Sequence, residues 1–371
     1  MRRVRSDELG SGMIIARSVV GADGRVLLTQ NTVLTDMYIK KLGSLGLGSI
    51  YVKDVLSDDE IPEIISNKVM VAVSSSLKES VNTFTHKGTL DLTAVRKSIS
   101  MLLDDIISNR HVMLQLEDVR TYNDYLLFHS INVAVLSIMT GVTLQMSEGQ
   151  LMDIGMGGLL HDIGMIAIDP NILNKAEALD QAEAGEIQKH PEVGFNILRS
   201  YREVSTMAAH MAYQHHERYN STGYPRQLPY DHIVDFAKIC AVVDTFDAVI
   251  SDRPYRKGYS MEEAVIVLRK LSGRYFQPEF VEAFVSNIAN YPVGCLVVLN
   301  TGFVGVVTQV TRNTANRPQI SVIADADGNF IKPFMIDLAT SHEVSIRNRM
   351  STEDTNQFRE KFARWQAMTP R

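Results

Sequence analysis

Between residues 129 and 244, five histidines and two aspartates recur at intervals of one helix plus one connection. They are His129, His161 with Asp162, His190, the doublet His215-His216, and Asp244. The intervals 129 to 161, 162 to 190, 190 to 215 and 216 to 244 run from about 25 to 32 residues. Strand signals are few in this stretch, so successive helices can each deliver one group to a common centre, as helical metal bundles do. Histidine and aspartate are suitable ligands for divalent transition metals. Adjacent helical residues point about 100° apart, so the two doublets are best placed to straddle two ions, and Asp162 is the natural bridge through its two carboxylate oxygens. Taken singly, a histidine in a helical protein is more often a satisfied polar residue, and His86, His111, His210, His232 and His342 keep that reading. Spacing alone leaves both readings of the other five open.

The composition narrows the classes. Hydrophobic residues make up 45% and charged residues 22%, an ordinary globular balance. The net charge of −6 and pI near 5.9 argue against a DNA or RNA polymer as partner, but leave room for a small anionic ligand. Cys240 and Cys295 are far apart and form no disulfide framework, which points to a reducing cytoplasm. The start, MRRVRSDELGSGM, has no apolar run behind its basic residues, so no signal peptide is expected. The run Leu126 to Ser147 carries His129, Ser130, Asn132, Thr140, Thr143 and Gln145. Several of these are costly in lipid, so a buried helix is expected rather than a membrane span.

Five regions follow from the change of period along the chain. Residues 1–53 read as a small mixed α/β module: apolar runs Met13–Ala16 and Val26–Thr29 flank a turn at Gly21-Ala-Asp-Gly24, Leu34 to Leu42 has helical spacing, and Ser49–Val52 returns as a strand. Residues 54–120 are an amphipathic helical connector. Ile64, Ile65, Val69, Val73, Leu77, Val81 and Phe84 share one face, and Val95, Ile99, Leu102, Leu103, Ile106 and Ile107 repeat the pattern. These faces pack within the chain, with a homodimer contact as the alternative. Residues 121–291 form the helical region with the histidines. Pro292 and Gly294 open a small β module, 292–348, with runs Cys295–Leu299, Gly305–Val310 and Gln319–Ala324 and a hairpin tip at Asp325-Ala-Asp-Gly-Asn329. A charged tail, 349–371, holds the single tryptophan, Trp365.

The residues around the histidines carry further information. Gly158-Leu-Leu-His-Asp-Ile-Gly164 places an HD doublet in an apolar setting, followed by His190-Pro-Glu-Val-Gly194, His215-His-Glu-Arg-Tyr-Asn-Ser-Thr-Gly-Tyr-Pro225, Asp244-Thr-Phe-Asp-Ala248 and Ser251-Asp-Arg-Pro-Tyr-Arg256. Together, in this order from about His129 to Leu271, they closely resemble the HD-GYP family of HD-type metal-dependent phosphohydrolases. The resemblance implies a mainly α chain with a helical HD-domain bundle between the two smaller modules. It also implies His129, His161, Asp162, His190, His215, His216 and Asp244 as metal ligands, with Asp162 central to catalysis. Gly223-Tyr-Pro225 resembles the family's substrate-facing loop, with Tyr224 on the ligand and Arg253 and Arg256 near its phosphates.

Members of that family hydrolyse cyclic di-GMP to linear pGpG and then GMP, commonly with iron or manganese. Two such metals ~3.5–4 Å apart can hold a bridging water and acidify it to hydroxide for attack on phosphorus. The resemblance therefore implies a cytoplasmic bacterial phosphodiesterase with two divalent ions. The alternatives are a cyclic-dinucleotide receptor that signals through its flanking modules or partner proteins with weak turnover, and a phosphodiesterase for another cyclic dinucleotide. Three positions depart from the family pattern. Met165 stands where lysine is usual after HDIG, Tyr125 stands where some relatives carry a glutamate for a third metal, and Ser221 replaces a usual glycine before GYP. The second departure favours two metals over three, with His216 bound more weakly or only indirectly.

Overall fold

The computed structural model describes residues 1–20, 26–45, 49–56, 61, 63–114, 125–173, 175, 177–251 and 258–368. The chain is mainly helical, with a small mixed unit at its start and an antiparallel sheet near its end. The first unit contains β1 (Arg2–Arg5), β2 (Val19–Val20), β3 (Val26–Leu28), α1 (Asp36–Ser44) and β4 (Ser49–Val52). β1 pairs with β4 and β2 with β3, both antiparallel. Met13–Ala16 is not a strand of either sheet. Ile14 and Ile15 make single bridges to Val33 and Val52, and Ile15 is fully buried with Val4, Leu34, Leu42, Ile50 and Val52. The expected turn at Gly21–Gly24 lies outside the described residues.

Two long helices follow, α2 (Asn67–Lys87) and α3 (Leu92–Ser108), each started by a side-chain cap: Ser66 accepts from the Val69 amide and Asp91 from the Ala94 amide. Asp105 of α3 accepts from both the amide and the hydroxyl of Ser66, which fastens the α2 start to the α3 end. Their apolar faces join one large core with the helices that follow.

That core is built on α4 (Tyr125–Thr143), α5 (Glu148–Leu160), α6 (Pro170–Leu173), α7 (Gln181–Ile187), α8 (His190–Leu198), α9 (Thr206–Gln214), α10 (Asp235–Ile250), α11 (Met261–Leu271) and α12 (Pro278–Val285). α4 is apolar nearly all round, as a central helix must be. It packs against α3, α5, α10 and α12. By length and composition Leu126–Thr143 could cross a membrane, but 78% of it is buried inside the fold, so protein occupies the space that lipid would need.

The sheet has the order β8-β7-β6-β5-β9, from β5 (Leu296–Leu299), β6 (Val304–Gln309), β7 (Gln319–Ala324), β8 (Phe330–Asp337) and β9 (Ile346–Arg349), all antiparallel. Asp325–Asn329 closes the β7–β8 turn, where Asp325 N–H donates to Asn329 O and Gly328 N–H to Asp325 O. Strand alternation splits the apolar residues between two faces. Val297, Leu299, Val307, Ile320 and Val322 form one cluster, while Leu296, Val306 and Ile323 form another with Leu56 and Phe362. Phe362 belongs to α13 (Thr352–Met368), which closes that second face with Phe358 and Trp365 around Phe330. Arg359 of α13 also pairs with the buried Asp54 at 3.1 Å, tying the last helix to the segment that leaves the first unit.

Phe362 is almost fully buried, so Phe362→Ala is expected to cost about 3–5 kcal/mol of packing and to loosen α13. Trp365, the sole tryptophan, reports this directly: its emission should shift to the red in the variant at temperatures where the wild type is unchanged.

Candidate metal centre

The seven sequence-derived candidates come from five elements and converge on one place. His129 lies in the second turn of α4, His161 caps the end of α5, Asp162 follows it, His190 opens α8, His215 caps the end of α9 with His216 next, and Asp244 lies within α10. Their ligand atoms form two groups: Asp162 with His190, His215 and His216, and His129 with His161 and Asp244, all atoms of a group within 4.8 Å of one another. Asp162 faces both groups. Its Oδ1 lies 3.2 Å from His190 Nε2 and 3.5 Å from His215 Nε2, and its Oδ2 lies 3.5 Å from His161 Nε2 and 3.8 Å from His129 Nε2. Asp244 Oδ1 is 3.2 Å from His129 Nε2.

The second ring nitrogen explains this aim. His161 Nδ1 donates to Gly158 O at 2.8 Å, His190 Nδ1 to Ile187 O at 2.6 Å, and His215 Nδ1 to Ala212 O at 2.8 Å. Each acceptor is a carbonyl in the last turn of a helix, α5, α7 or α9, where no intrahelical amide remains to bind it. A carbonyl only accepts, so Nδ1 carries a proton and Nε2 is the nitrogen turned to the centre. His129 is held by Asp247 instead, with Nδ1 2.7 Å from Oδ2. Asp247 is fully buried, and its other oxygen accepts from Asn132 Nδ2 at 2.8 Å.

The electrostatics follow from burial and these neighbours. Burial disfavours charge on His161 and lowers its pKa to about 4, despite the pull of Asp162. Burial, and then His215, also holds His216 well below the ordinary value. Burial works against charge on His129 too, but hydrogen bonds to Asp244 and Asp247 outweigh it and raise its pKa well above the usual range. His190 is raised likewise, by Asp162. Burial would raise the two carboxylates, but the imidazoles around them prevail and hold both well below the usual range. The donor set fits divalent metals. His161 Nε2 is buried with no hydrogen-bond partner, an acceptor left open toward the carboxylates and imidazoles of the centre.

The loop after the doublet folds back over it. The Tyr224 amide donates to His216 O at 3.2 Å, and the Tyr224 ring stacks on His216 at 4.5 Å. The Tyr224–Pro225 peptide is cis. Gly223 is pressed so closely on the doublet's backbone that a Cβ there would lie 2.4 Å from His216 O, and one at Gly164 would lie 2.0 Å from His190 O. Neither position tolerates a side chain. Ser221 has φ +59°, a left-handed conformation that glycine adopts at less cost. Met165 is half-buried in a 3-10 turn, Ile163–Ala167. Arg253 and Arg256, and the side chain of Tyr125, lie outside the described residues. His210 belongs to a surface stack with Phe195 and Tyr213, away from the two groups.

Asp247, Asn132 and Glu217 were not singled out by the sequence reading. The signal was present for the first two: Asp247 is three residues after Asp244 and Asn132 three after His129, so each shares a helix face with a candidate ligand.

Residues 101–280 match the HD domain model, and residues 296–358 match the model of a KOW domain associated with HD domains. Residues 101–280 are therefore an HD domain within this chain. It is 36% identical over 231 residues to the cyclic di-GMP phosphodiesterase PA4108 of Pseudomonas aeruginosa, a match covering 61% of this chain and 56% of that protein. A cyclic di-GMP phosphodiesterase of Thermotoga maritima is 35% identical over 184 residues, 49% of each. The 3'3'-cGAMP-specific phosphodiesterase 2 of Vibrio cholerae is 38% identical over 129 residues, 34% of this chain and 25% of that one. The chain spans about half the length of the first two.

The raised pKa values of His129 and His190 set a pH dependence for cation binding. Without cations the neighbouring carboxylates favour the protonated form of both imidazoles, on the nitrogens a cation needs. The loaded protein thus binds fewer protons than the empty one, so affinity rises with pH through their titration and loading releases protons. Calorimetric titration with Mn²⁺ in two buffers of different ionisation enthalpy should show that release at pH 7. Equal heats in both buffers would contradict it.

Proposed function

We propose that this chain is a metal-dependent phosphodiesterase that hydrolyses cyclic di-GMP to linear pGpG and GMP. The observation that carries the reading is the set of Nε2 atoms aimed by helix-end carbonyls at two carboxylates, beneath a loop whose tyrosine stacks on the centre. The relatives named for cyclic di-GMP hydrolysis support the substrate class. Two divalent ions, iron or manganese, held by His129, His161 and Asp244 and by His190, His215 and His216, with Asp162 shared, would supply an acidified water and neutralise charge on the phosphate oxygens. His161, His190 and His215 keep their lone pairs in place through their Nδ1 bonds. Tyr224 presents an aromatic face for a guanine base, and its buried hydroxyl stays protonated, because burial pushes its pKa up. Arg253 and Arg256 are assigned to the phosphates, where a guanidinium makes paired hydrogen bonds. The assigned location is the bacterial cytoplasm.

A second reading, a cyclic-dinucleotide receptor with weak turnover that passes its signal to partner proteins, is favoured by one observation. Met165 places a neutral side chain two residues beyond the HD doublet's aspartate-isoleucine step. The relative specific for 3'3'-cGAMP makes that dinucleotide the alternative substrate.

Asp162→Ala is expected to abolish cation retention and cyclic di-GMP hydrolysis together, since the Asp162 carboxylate faces both groups. Elemental analysis of anaerobically purified protein, beside a product assay, checks this. Full metal with normal turnover would reduce the doublet to a structural role. Met165→Lys is expected to raise kcat several-fold at matched metal content. The gain stays below the ~10²–10³-fold that one preorganised donor contributes, because the cations already neutralise charge and a half-buried ammonium is costly to desolvate. An unchanged or lower rate would favour the receptor.

A further inference from the structure

Glu217 follows the histidine doublet directly and is 2% exposed. A carboxylate so deeply buried needs partners, and its partners are amides of the loop. Oε1 accepts from Arg226 N–H at 2.8 Å and Oε2 from Leu228 N–H at 3.0 Å. These residues come just after Tyr224-Pro225. Gln214, on the other side of the doublet, is also buried and accepts from Val234 N–H at 2.8 Å, one residue before α10 begins. The segment 214–217 therefore has two working sides. Its inner residues, His215 and His216, belong to the metal centre, and its outer residues hold both ends of the strip 226–234.

We infer that Glu217 is a positioning residue that sets the substrate-binding loop: its two oxygens clasp Arg226 and Leu228 and so hold the Tyr224 ring over His216. The inference rests on the phosphodiesterase reading for its kinetic consequence, but not for the clasp itself. Glu217 is absent from both ligand groups, and its two side-chain bonds run to the loop. Glutamine is nearly isosteric but has one acceptor oxygen. Its amide nitrogen would face one of the two donors, and that hydrogen bond would be lost.

The test compares wild type, Glu217→Gln and Glu217→Asp, each loaded with Mn²⁺ and checked for metal content and helicity. In Glu217→Gln the KM for cyclic di-GMP should rise about tenfold or more, as expected for one lost bond to a charged group. Its kcat should stay within about threefold. Turnover of bis(p-nitrophenyl) phosphate, which carries no guanine, should be little changed. Glu217→Asp, which keeps both acceptors, should recover part of the lost affinity. Equal losses on both substrates, or a fall in kcat alone, would overturn the positioning role. Wild type that fails to cleave any cyclic dinucleotide would overturn the functional reading instead. In that event hydrogen exchange decides the clasp. Faster exchange at Arg226 and Leu228 in Glu217→Gln, with α9 and α10 unchanged, supports it, and unchanged exchange at both amides refutes it.

Discussion

The centre depends on one repeated interaction: an imidazole Nδ1–H given to a carbonyl three residues earlier, in the last turn of a helix. It occurs at His161, His190 and His215. The pairing meets two needs at once. Terminal carbonyls of a buried helix must find donors, and a metal-binding imidazole must have its tautomer and ring plane fixed. Placing the histidine at the helix end satisfies both with one bond. The ring then projects beyond the helix, so three helices that end near one point contribute three lone pairs with little conformational freedom left to lose.

The charge balance has the same origin. Two carboxylates in a buried setting are costly unless paired, and here each is surrounded by imidazoles. Without cations the carboxylate neighbours of His129 and His190 raise their pKa values and so favour protons on these two rings. His161 and His216 remain neutral because burial outweighs the same neighbours. Protons and cations thus compete for one set of positions. Asp247 and Asn132 extend this arrangement into the core, since a carboxylate that orients His129 is itself oriented by an amide on the same helix as that histidine.

The helix-length intervals between ligand-type residues were legible in the sequence and left both readings open, and it was the motifs resembling the HD-GYP family that implied one candidate centre. The alternating runs after Pro292 were legible too: a period of two appears without knowledge of what covers the strands. What the runs do not encode is how α13 covers one face, because Phe362 and Trp365 read as part of a charged tail until Phe330 is beside them. At the other end, Met13–Ala16 looked like a strand because it is apolar, yet it makes only isolated bridges. Ile15 is buried among Val4, Leu34, Leu42, Ile50 and Val52, most of them distant in sequence. Glu217 was passed over because a glutamate beside two histidines reads as a solvated charge. Only the fold brings the Arg226 and Leu228 amides to it.

The loop shows why the doublet and Gly-Tyr-Pro occur as one sequence unit. Gly223 lies against His216 O and the Arg218 and Glu217 backbone at distances that leave no volume for a side chain. The Tyr224 amide bonds His216 O, and the Ser221 amide bonds Arg218 O. Each of these contacts joins the loop to the backbone of the doublet's own segment and sets the tyrosine close to His216, while the Tyr219 amide bonds Tyr275 O and ties the loop to the segment after α11. The residue at 221 carries the strain of that close return: serine holds a φ of +59°, a conformation worth roughly 1–2 kcal/mol against a residue with a Cβ. The hydrogen bonds on either side of it must supply that energy. A site that tolerates such strain next to its candidate ligands depends on the loop's attachment points, and among these is the buried carboxylate of Glu217, which accepts from two loop amides.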